Sequence, residues 1–204
     1  MRKIIHGCLL KAKAGYDMMY YGAIKKFDIA NGEGIRVSLF VSGCRNRCKG
    51  CFQPETWSFT YGKPFSEDAM DELISALGNP SVRGLTVLGG EPMEPENQEG
   101  LLPVLKRVKA LFPEKNIWLY TGNLYEELTG ARGPHEKCLP ITSELLSLVD
   151  ILVDGRYEEE KHRLGLRFRG SENQRIIDMN KTRECGEIVI WKGCAEDKKY
   201  GDNQ

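Results

Sequence analysis

Strand-like and helix-like segments alternate along this chain, and the alternation restricts its fold more than any other feature. Helix signals include the capping residues Ser66-Glu67-Asp68 and the apolar spacing of Leu101–Phe112. Four short apolar segments predict buried strands, at residues 35–41, 84–88, 116–121 and 150–153. A repeated strand–helix order predicts an α/β fold with a parallel sheet.

The chain has 204 residues, whereas a complete eight-unit barrel typically needs ~250 residues. We therefore predict a partial, open (βα) barrel or a short doubly wound sheet. Residues 18–191 are expected to form this single domain, with a possible late strand at 188–191. We expect a weakly ordered extension over residues 1–17 and a mobile tail over residues 192–204.

Polar or glycine-rich residues follow each of the four predicted strands. A cysteine-rich loop follows the first strand, Gly89–Pro92 follows the second, and Thr121 and Asp154 end the third and fourth. In parallel α/β sheets, ligands bind at the carboxyl ends of the strands. We therefore expect these residues to face one rim and to form a single site.

Three of the seven cysteines, Cys44, Cys48 and Cys51, fall within eight residues. In a reducing compartment such a cluster indicates metal binding rather than disulfides. Iron–sulfur clusters usually have four thiolate ligands, so three would leave one iron open to another ligand. A zinc site completed by a remote cysteine or histidine is the alternative.

The charges around the cysteines also bear on their chemistry. Arg45, Arg47 and Lys49 would offset the charge of a cluster, and we expect them to lower the pKa of the thiols. Elsewhere, Cys138, Cys185 and Cys194 share no tight spacing, and a second metal site formed by them stays open.

The overall charge argues against two classes of function. Lys plus Arg and Asp plus Glu each number 29, which disfavours a protein built to bind nucleic acid or an anionic membrane. No apolar run is long enough to span a bilayer, and the start of the chain does not have the pattern of a signal peptide. We therefore expect a cytoplasmic protein.

A Cys-x3-Cys-x2-Cys loop after a first strand, with Gly-Gly-Glu-Pro after a second, resembles the radical S-adenosylmethionine (SAM) superfamily. Within it, the chain resembles the activating proteins of the anaerobic (class III) ribonucleoside-triphosphate reductases over about residues 20–178. The segments that carry this resemblance are Asp28–Arg36, Leu39–Cys44, Cys48–Phe52, Glu55–Trp57, Ile117–Gly122, Val149–Gly155 and Arg169–Gln174.

The resemblance implies that Cys44, Cys48 and Cys51 hold a [4Fe–4S] cluster whose open iron binds SAM. Reduction by a flavodoxin or ferredoxin would cleave SAM, and the 5′-deoxyadenosyl radical would take hydrogen from a glycine of the partner reductase. The implied activity is therefore that of a glycyl-radical-generating activating enzyme, in which the cofactors supply the chemistry. No side chain is assigned as an acid or a base.

The resemblance also suggests which residues contact SAM. Glu91 would bind the ammonium group, Arg156 the carboxylate, and Phe52 the adenine. Thr121 and Asp154 would lie near the ribose or the carboxylate, and Ser171, Asn173 and Gln174 near the adenosine. The residues assigned to SAM binding are Phe52, Gly89, Gly90, Glu91, Thr121, Asp154, Arg156, Ser171 and Asn173, and Gln174 is a further candidate.

Two other functions stay open at this point. One is a radical SAM enzyme that acts on a small molecule, similar to 7-carboxy-7-deazaguanine synthase. The other is a zinc-binding interaction module without catalytic activity.

Overall fold

A single open sheet of seven strands organises the protein, as shown by a computed structural model that describes residues 19–193. The predicted extension over residues 1–17 lies outside the described residues, as does the predicted tail from residue 194 onward. The strands are β1 (Tyr20–Asp28), β2 (Ile35–Val41), β3 (Lys63–Pro64), β4 (Val82–Gly89), β5 (Asn116–Tyr120), β6 (Ile151–Asp154) and β7 (Arg175–Asp178). Their order in the sheet is β3-β1-β2-β4-β5-β6-β7.

The four predicted strands form the centre of the sheet. Strands β2, β4, β5 and β6 run parallel to one another, which confirms the α/β prediction. The edges are antiparallel, because β1 joins β2 through a short turn and β7 follows β6 without a long crossover helix. The predicted late strand at 188–191 is reduced to one bridge between Ile177 and Ile190.

Helices lie in the connections between the parallel strands, and one more follows the last strand. They are α1 (Glu67–Leu77), α2 (Pro95–Leu111), α3 (Tyr125–Leu128), α4 (Thr142–Ser147) and α5 (Met179–Cys185). The Ser66 hydroxyl accepts a hydrogen bond from the backbone N–H of Ala69 at 3.4 Å and caps α1 as predicted. Helix α2 begins six residues before the predicted start at Leu101. Its first turns bury the polar side chains of Asn97 and Gln98, which apolar spacing does not detect.

The two faces of the sheet carry separate apolar clusters. The larger one includes buried side chains of α1, α2 and α4 and of the central strands. The smaller one centres on Trp118, Val153 and Ile176, with Phe168 and Trp191 packed against it. Because side chains of a strand alternate between faces, Tyr120 lies on the same face as Trp118, nearer the carboxyl end. Within residues 19–193 there is no helix long and apolar enough to cross a membrane.

Candidate metal centre

A cavity of ≈ 220 Å³ lies at the carboxyl ends of the parallel strands. The structure thus brings together eight of the twelve residues proposed from the sequence. Those lining the cavity are Cys44, Cys48, Cys51, Phe52, Gly89, Gly90, Glu91 and Thr121. The residues that follow β2, β4 and β5 converge on one site as expected, whereas Asp154 at the end of β6 does not line it.

The cysteine loop begins three residues after β2 and is fastened by backbone hydrogen bonds. Gly43 N donates to Thr56 O at 2.8 Å, and Cys44 N donates to Trp57 O at 3.3 Å. Cys44 is buried, whereas Cys48 and Cys51 are half-buried, and all three are free thiols. The loop therefore presents three potential thiolate ligands to the cavity.

For Cys44 and Cys48, the expectation that basic neighbours lower the pKa of the thiol is wrong. Burial, together with the nearby carboxylate of Glu91, raises the pKa of Cys44 to about 11. Burial also raises the pKa of Cys48. Arg45 is paired with Glu94 and Glu96 and therefore provides little uncompensated positive charge to the thiols.

Lys49 has a similar arrangement at the opposite end of the loop, where its ammonium pairs with Glu159 and Glu160. Acidic side chains from distant parts of the chain thus neutralise two of the three basic residues. Because the pKa of Cys44 is raised to about 11, binding of a metal by this thiol releases a proton.

Two glycines at the end of β4 let the backbone pass close to the cysteine loop. A Cβ on Gly90 would lie 2.6 Å from the carbonyl oxygen of Gly43, so a larger residue requires movement of the backbone. Gly89 has φ +112°, a conformation that favours glycine. The glycines therefore place Glu91 directly beside Cys44.

The carboxylate of Glu91 is buried, and its hydrogen bonds come from uncharged N–H groups. Oε1 accepts from Met93 N at 2.9 Å, and Oε2 accepts from Gly122 N at 2.8 Å and from Asn46 Nδ2 at 2.7 Å. Among residues 19–193 this carboxylate has no cationic partner, and a buried carboxylate in that situation is costly. The arrangement suits the binding of an ammonium group at this wall of the cavity.

Four proposed contact residues do not line the cavity. Asp154 is buried beneath the rim, where Tyr125 N and the guanidinium of Arg175 donate to its carboxylate. Ser171 is also buried, and its hydroxyl accepts from Glu158 N at 3.2 Å. The side chains of Asp154 and Ser171 already form hydrogen bonds within the protein, so their contact with a ligand stays a prediction.

The other two lie near the rim. Arg156 is exposed, and its Nη2 donates to Asn46 Oδ1 at 3.2 Å. Asn173 donates from Nδ2 to Arg156 O at 2.8 Å, while its buried Oδ1 has no hydrogen-bond partner in the described part of the chain. Both residues are therefore close enough to the cavity wall to support it.

Phe52 lines the cavity mouth and is 72% exposed. Its ring lies 5.3 Å from the ring of Tyr157 and 6.2 Å from that of His162, between centroids. Tyr157 and His162 come from the connection between β6 and β7, and no local sequence pattern identifies them as neighbours of Phe52. Together they provide an aromatic edge at the opening.

Asn46 within the cysteine loop and Gly122 after β5 also line the cavity, and neither was proposed as a contact from the sequence. Gln174, which the sequence analysis places near the adenosine, lines the cavity as well. Gln174 donates from Nε2 to Gly155 O at 2.9 Å, which joins two parts of the rim. In the sequence, the position of Asn46 two residues after Cys44 is the feature that could have indicated its place in the site.

The donor set fits an iron–sulfur cluster better than a single metal ion. Within residues 19–193, no three His, Cys, Asp or Glu side chains are placed around one ion. A cuboidal cluster instead requires each thiolate to bind a different iron, and sulfur is its usual protein donor. Of the cysteines considered for a second metal site, Cys138 and Cys185 lie outside this cavity and Cys194 lies outside the described residues.

Residues 30–177 match the model of a family described as a 4Fe-4S single cluster domain. The matched segment includes the cysteine loop and every strand that contributes to the cavity. The fold, the cavity and this match define a protein of the single-cluster 4Fe-4S class.

Curated relatives identify the family within that class. A protein of Pasteurella multocida is 40% identical over 151 residues, covering 73% of this chain and 90% of its own length. One of Enterobacteria phage T4 is 39% identical over 158 residues, covering 78% and 93% respectively. One of Vibrio cholerae is 39% identical over 160 residues, covering 78% and 97%. The chain belongs to the family that these three proteins share, the anaerobic ribonucleoside-triphosphate reductase-activating proteins.

Proposed function

We propose that this protein activates an anaerobic ribonucleoside-triphosphate reductase by generating a radical on a glycine of the reductase large subunit. One observation carries the proposal: a single cavity contains three free cysteines and the buried carboxylate of Glu91, which has no cationic partner within residues 19–193. Family membership supports the same partner, because the relatives are named for activating this reductase.

Cys44, Cys48 and Cys51 would hold the [4Fe–4S] cluster, and Glu91 would bind the ammonium group of SAM. When bound and reduced by a flavodoxin or ferredoxin, the cluster supplies the electron that cleaves SAM to methionine and a 5′-deoxyadenosyl radical. The protein binds the cofactors, orients them and limits the access of water. No side chain needs to act as an acid or a base.

The remaining cavity residues would position the nucleoside. Gly89 and Gly90 allow the backbone to approach the ligand, and Thr121 lies at the end of β5 on the same rim. The exposed ring of Phe52 would cover the adenine. Arg156 and Asn173 would complete the wall from the β6–β7 connection, whereas Asp154 and Ser171 would support that wall from beneath.

The open sheet suits a macromolecular substrate. Strands β3 and β7 form its two edges within the described residues, so the sheet does not close around the cavity. We interpret this architecture as the partial (βα) barrel of the radical SAM superfamily. An open side leaves room for a glycine-bearing loop of the partner to reach the site.

The test is anaerobic reconstitution with iron and sulfide, followed by dithionite, SAM and the partner reductase. Wild-type protein is expected to form 5′-deoxyadenosine and a glycine-centred doublet in the electron paramagnetic resonance (EPR) spectrum of the reductase. Cys44→Ala is expected to lose both, whereas Cys185→Ala, a matched change at an exposed cysteine outside the cavity, is expected to keep both.

Three results would contradict the proposal. Formation of 5′-deoxyadenosine by Cys44→Ala at the wild-type rate would exclude the cluster assignment. Formation of 5′-deoxyadenosine by the wild type without any glycyl signal would instead indicate a small-molecule substrate. Colourless protein that binds zinc and no iron would favour an interaction module.

A further inference from the structure

The carboxamide of Asn46 lies between one carboxylate and two cations at the cavity wall. Its Nδ2 donates to Glu91 Oε2 at 2.7 Å. Its Oδ1 accepts from Lys137 Nζ at 3.3 Å and from Arg156 Nη2 at 3.2 Å. The group thus presents a donor to an anion and an acceptor to two cations. The head group of an α-amino acid has the same polarity, since its ammonium lies beside its carboxylate.

Lys137 is built into this wall rather than lying on the surface. Its side chain is 2% exposed, and its Nζ lies 3.1 Å from Oε1 of the fully buried Glu94. The backbone oxygen of Lys137 accepts hydrogen bonds from Gln98 Nε2 at 2.8 Å and from Thr142 Oγ1 at 3.1 Å. The connection between α3 and α4 is therefore fastened to α2 and α4, which holds a buried ammonium next to the cavity.

Because Glu94 is shared with Arg45, Lys137 can bind a second anion. Glu94 also accepts from the backbone N of Arg45 at 2.7 Å and from Arg45 Nη1 at 2.7 Å. Its charge is thus shared between two cations. An ammonium has three N–H donors, and the second described acceptor of Lys137 is the uncharged amide oxygen of Asn46.

We propose, on the basis of the function proposed above, that Asn46 occupies the place of the amino-acid head group of SAM while the ligand is absent. Binding of SAM displaces this carboxamide. Glu91 then exchanges an amide donor for the ligand's ammonium, and Lys137 joins Arg156 in binding the ligand's carboxylate. Lys137 is thereby a specificity residue for the carboxylate, and Asn46 is an internal competitor for the site.

The test compares SAM with decarboxylated SAM, which keeps the ammonium and lacks the carboxylate. Dissociation constants are measured by anaerobic equilibrium dialysis on reconstituted, oxidised protein, so that the readout does not depend on turnover. Lys137→Met is expected to weaken SAM binding about tenfold, because it removes a charge-assisted hydrogen bond. The same change is expected to leave the binding of decarboxylated SAM nearly unaltered.

Asn46→Ala is expected to act in the opposite direction. Removal of the competing carboxamide should tighten SAM binding about threefold, which is within the range of one hydrogen bond. Lys106→Met is the control, because Lys106 pairs with Glu144 on the surface and should leave both dissociation constants unchanged. Iron and sulfide content is measured for each variant to confirm equal cluster loading.

The outcomes separate this inference from the proposed function. An equal loss of affinity for both ligands in Lys137→Met would reduce Lys137 to a structural role and overturn the inference alone. Weaker SAM binding in Asn46→Ala would overturn it as well. If Lys137→Met does not fold, Lys137→Gln keeps a donor for Glu94 and is subject to the same criterion. Absence of SAM binding and of 5′-deoxyadenosine in the wild type would overturn the proposed function itself.

Discussion

Arg175 binds the carboxylate of Asp154 across the antiparallel pair of strands β6 and β7, with Nε donating to Oδ1 at 2.9 Å. The same guanidinium donates to both carboxylate oxygens of Glu126, at 3.1 and 2.7 Å. Tyr125 N donates to Asp154 Oδ2 at 2.8 Å. One arginine thus joins the last parallel strand, the antiparallel edge and helix α3 beneath the rim of the cavity.

Replacement of Arg175 by Met should strongly destabilise the protein. The change leaves the fully buried Asp154 without its cation, and breaking a buried pair from one side costs about 3–5 kcal/mol. The free energy of unfolding is measured in urea at neutral pH. Lys106→Met removes an exposed ion pair of ordinary length and should cost at most about 1 kcal/mol. Equal losses of unfolding free energy in the two variants would show that the pair of Arg175 with Asp154 stabilises the protein no more than an exposed ion pair does.

The pH dependence of stability should reveal the Glu126–Arg175 pair. The hydrogen bonds from Arg175 lower the pKa of Glu126 to about 2, compared with about 4.3 in an unfolded chain. A lowered pKa in the folded state contributes stability above the unfolded value, and this stability is lost as the pH falls toward the folded value.

Glu126→Gln should therefore be less stable than the wild type at pH 7, and the difference should shrink between pH 5 and pH 2. Urea unfolding at a series of pH values measures it. A difference that stays constant as the pH falls would mean that the carboxylate charge of Glu126 is not the stabilising feature.

Replacement of Gly90 by Ala should disturb the cysteine loop. The added Cβ would meet the carbonyl oxygen of Gly43 at 2.6 Å, and a backbone atom cannot move away without moving the loop. Overpacking of this kind costs about 1–3 kcal/mol. We expect lower stability and less iron and sulfide per chain after reconstitution.

Gly78→Ala is the matched control for Gly90→Ala. Gly78 has a helical φ of −64°, and the nearest atom to an added Cβ lies at 3.4 Å. The control should keep wild-type stability and cluster content. Full cluster loading by Gly90→Ala would contradict the proposed close approach of β4 to the loop.

Removal of the Phe52 ring should weaken SAM binding with little effect on stability. The ring is 72% exposed, so its loss costs little packing, whereas stacking of a base on an aromatic ring is worth about 1–3 kcal/mol. Phe52→Ala should raise the KM for SAM at least about fivefold in the 5′-deoxyadenosine assay. Leu164→Ala changes a similarly exposed side chain that does not line the cavity and serves as the control. An unchanged KM in Phe52→Ala would exclude the proposed stacking.

Local patterns in the sequence were sufficient for the centre of the fold. The parallel strands at 35–41, 84–88 and 116–121 and the Ser66 cap follow from apolar runs and capping chemistry between near neighbours. The antiparallel strands β1, β3 and β7 were not predicted, because their sequences show no local strand pattern comparable to that of the central strands. Helix α2 was predicted too short, since its first turns bury Asn97 and Gln98 rather than apolar residues.

The sequence by itself determined the three cysteines, their spacing and the strand-end placement of Glu91, because these depend on residues adjacent in the chain. Only the tertiary structure decided the charges and partners around them. Glu94 reaches Arg45 from 49 residues away, and Lys137 reaches Asn46 from 91 residues away. Burial and the carboxylates of Glu91 and Glu94 raise the pKa of Cys44, and no local pattern encodes contacts between residues so far apart in the chain.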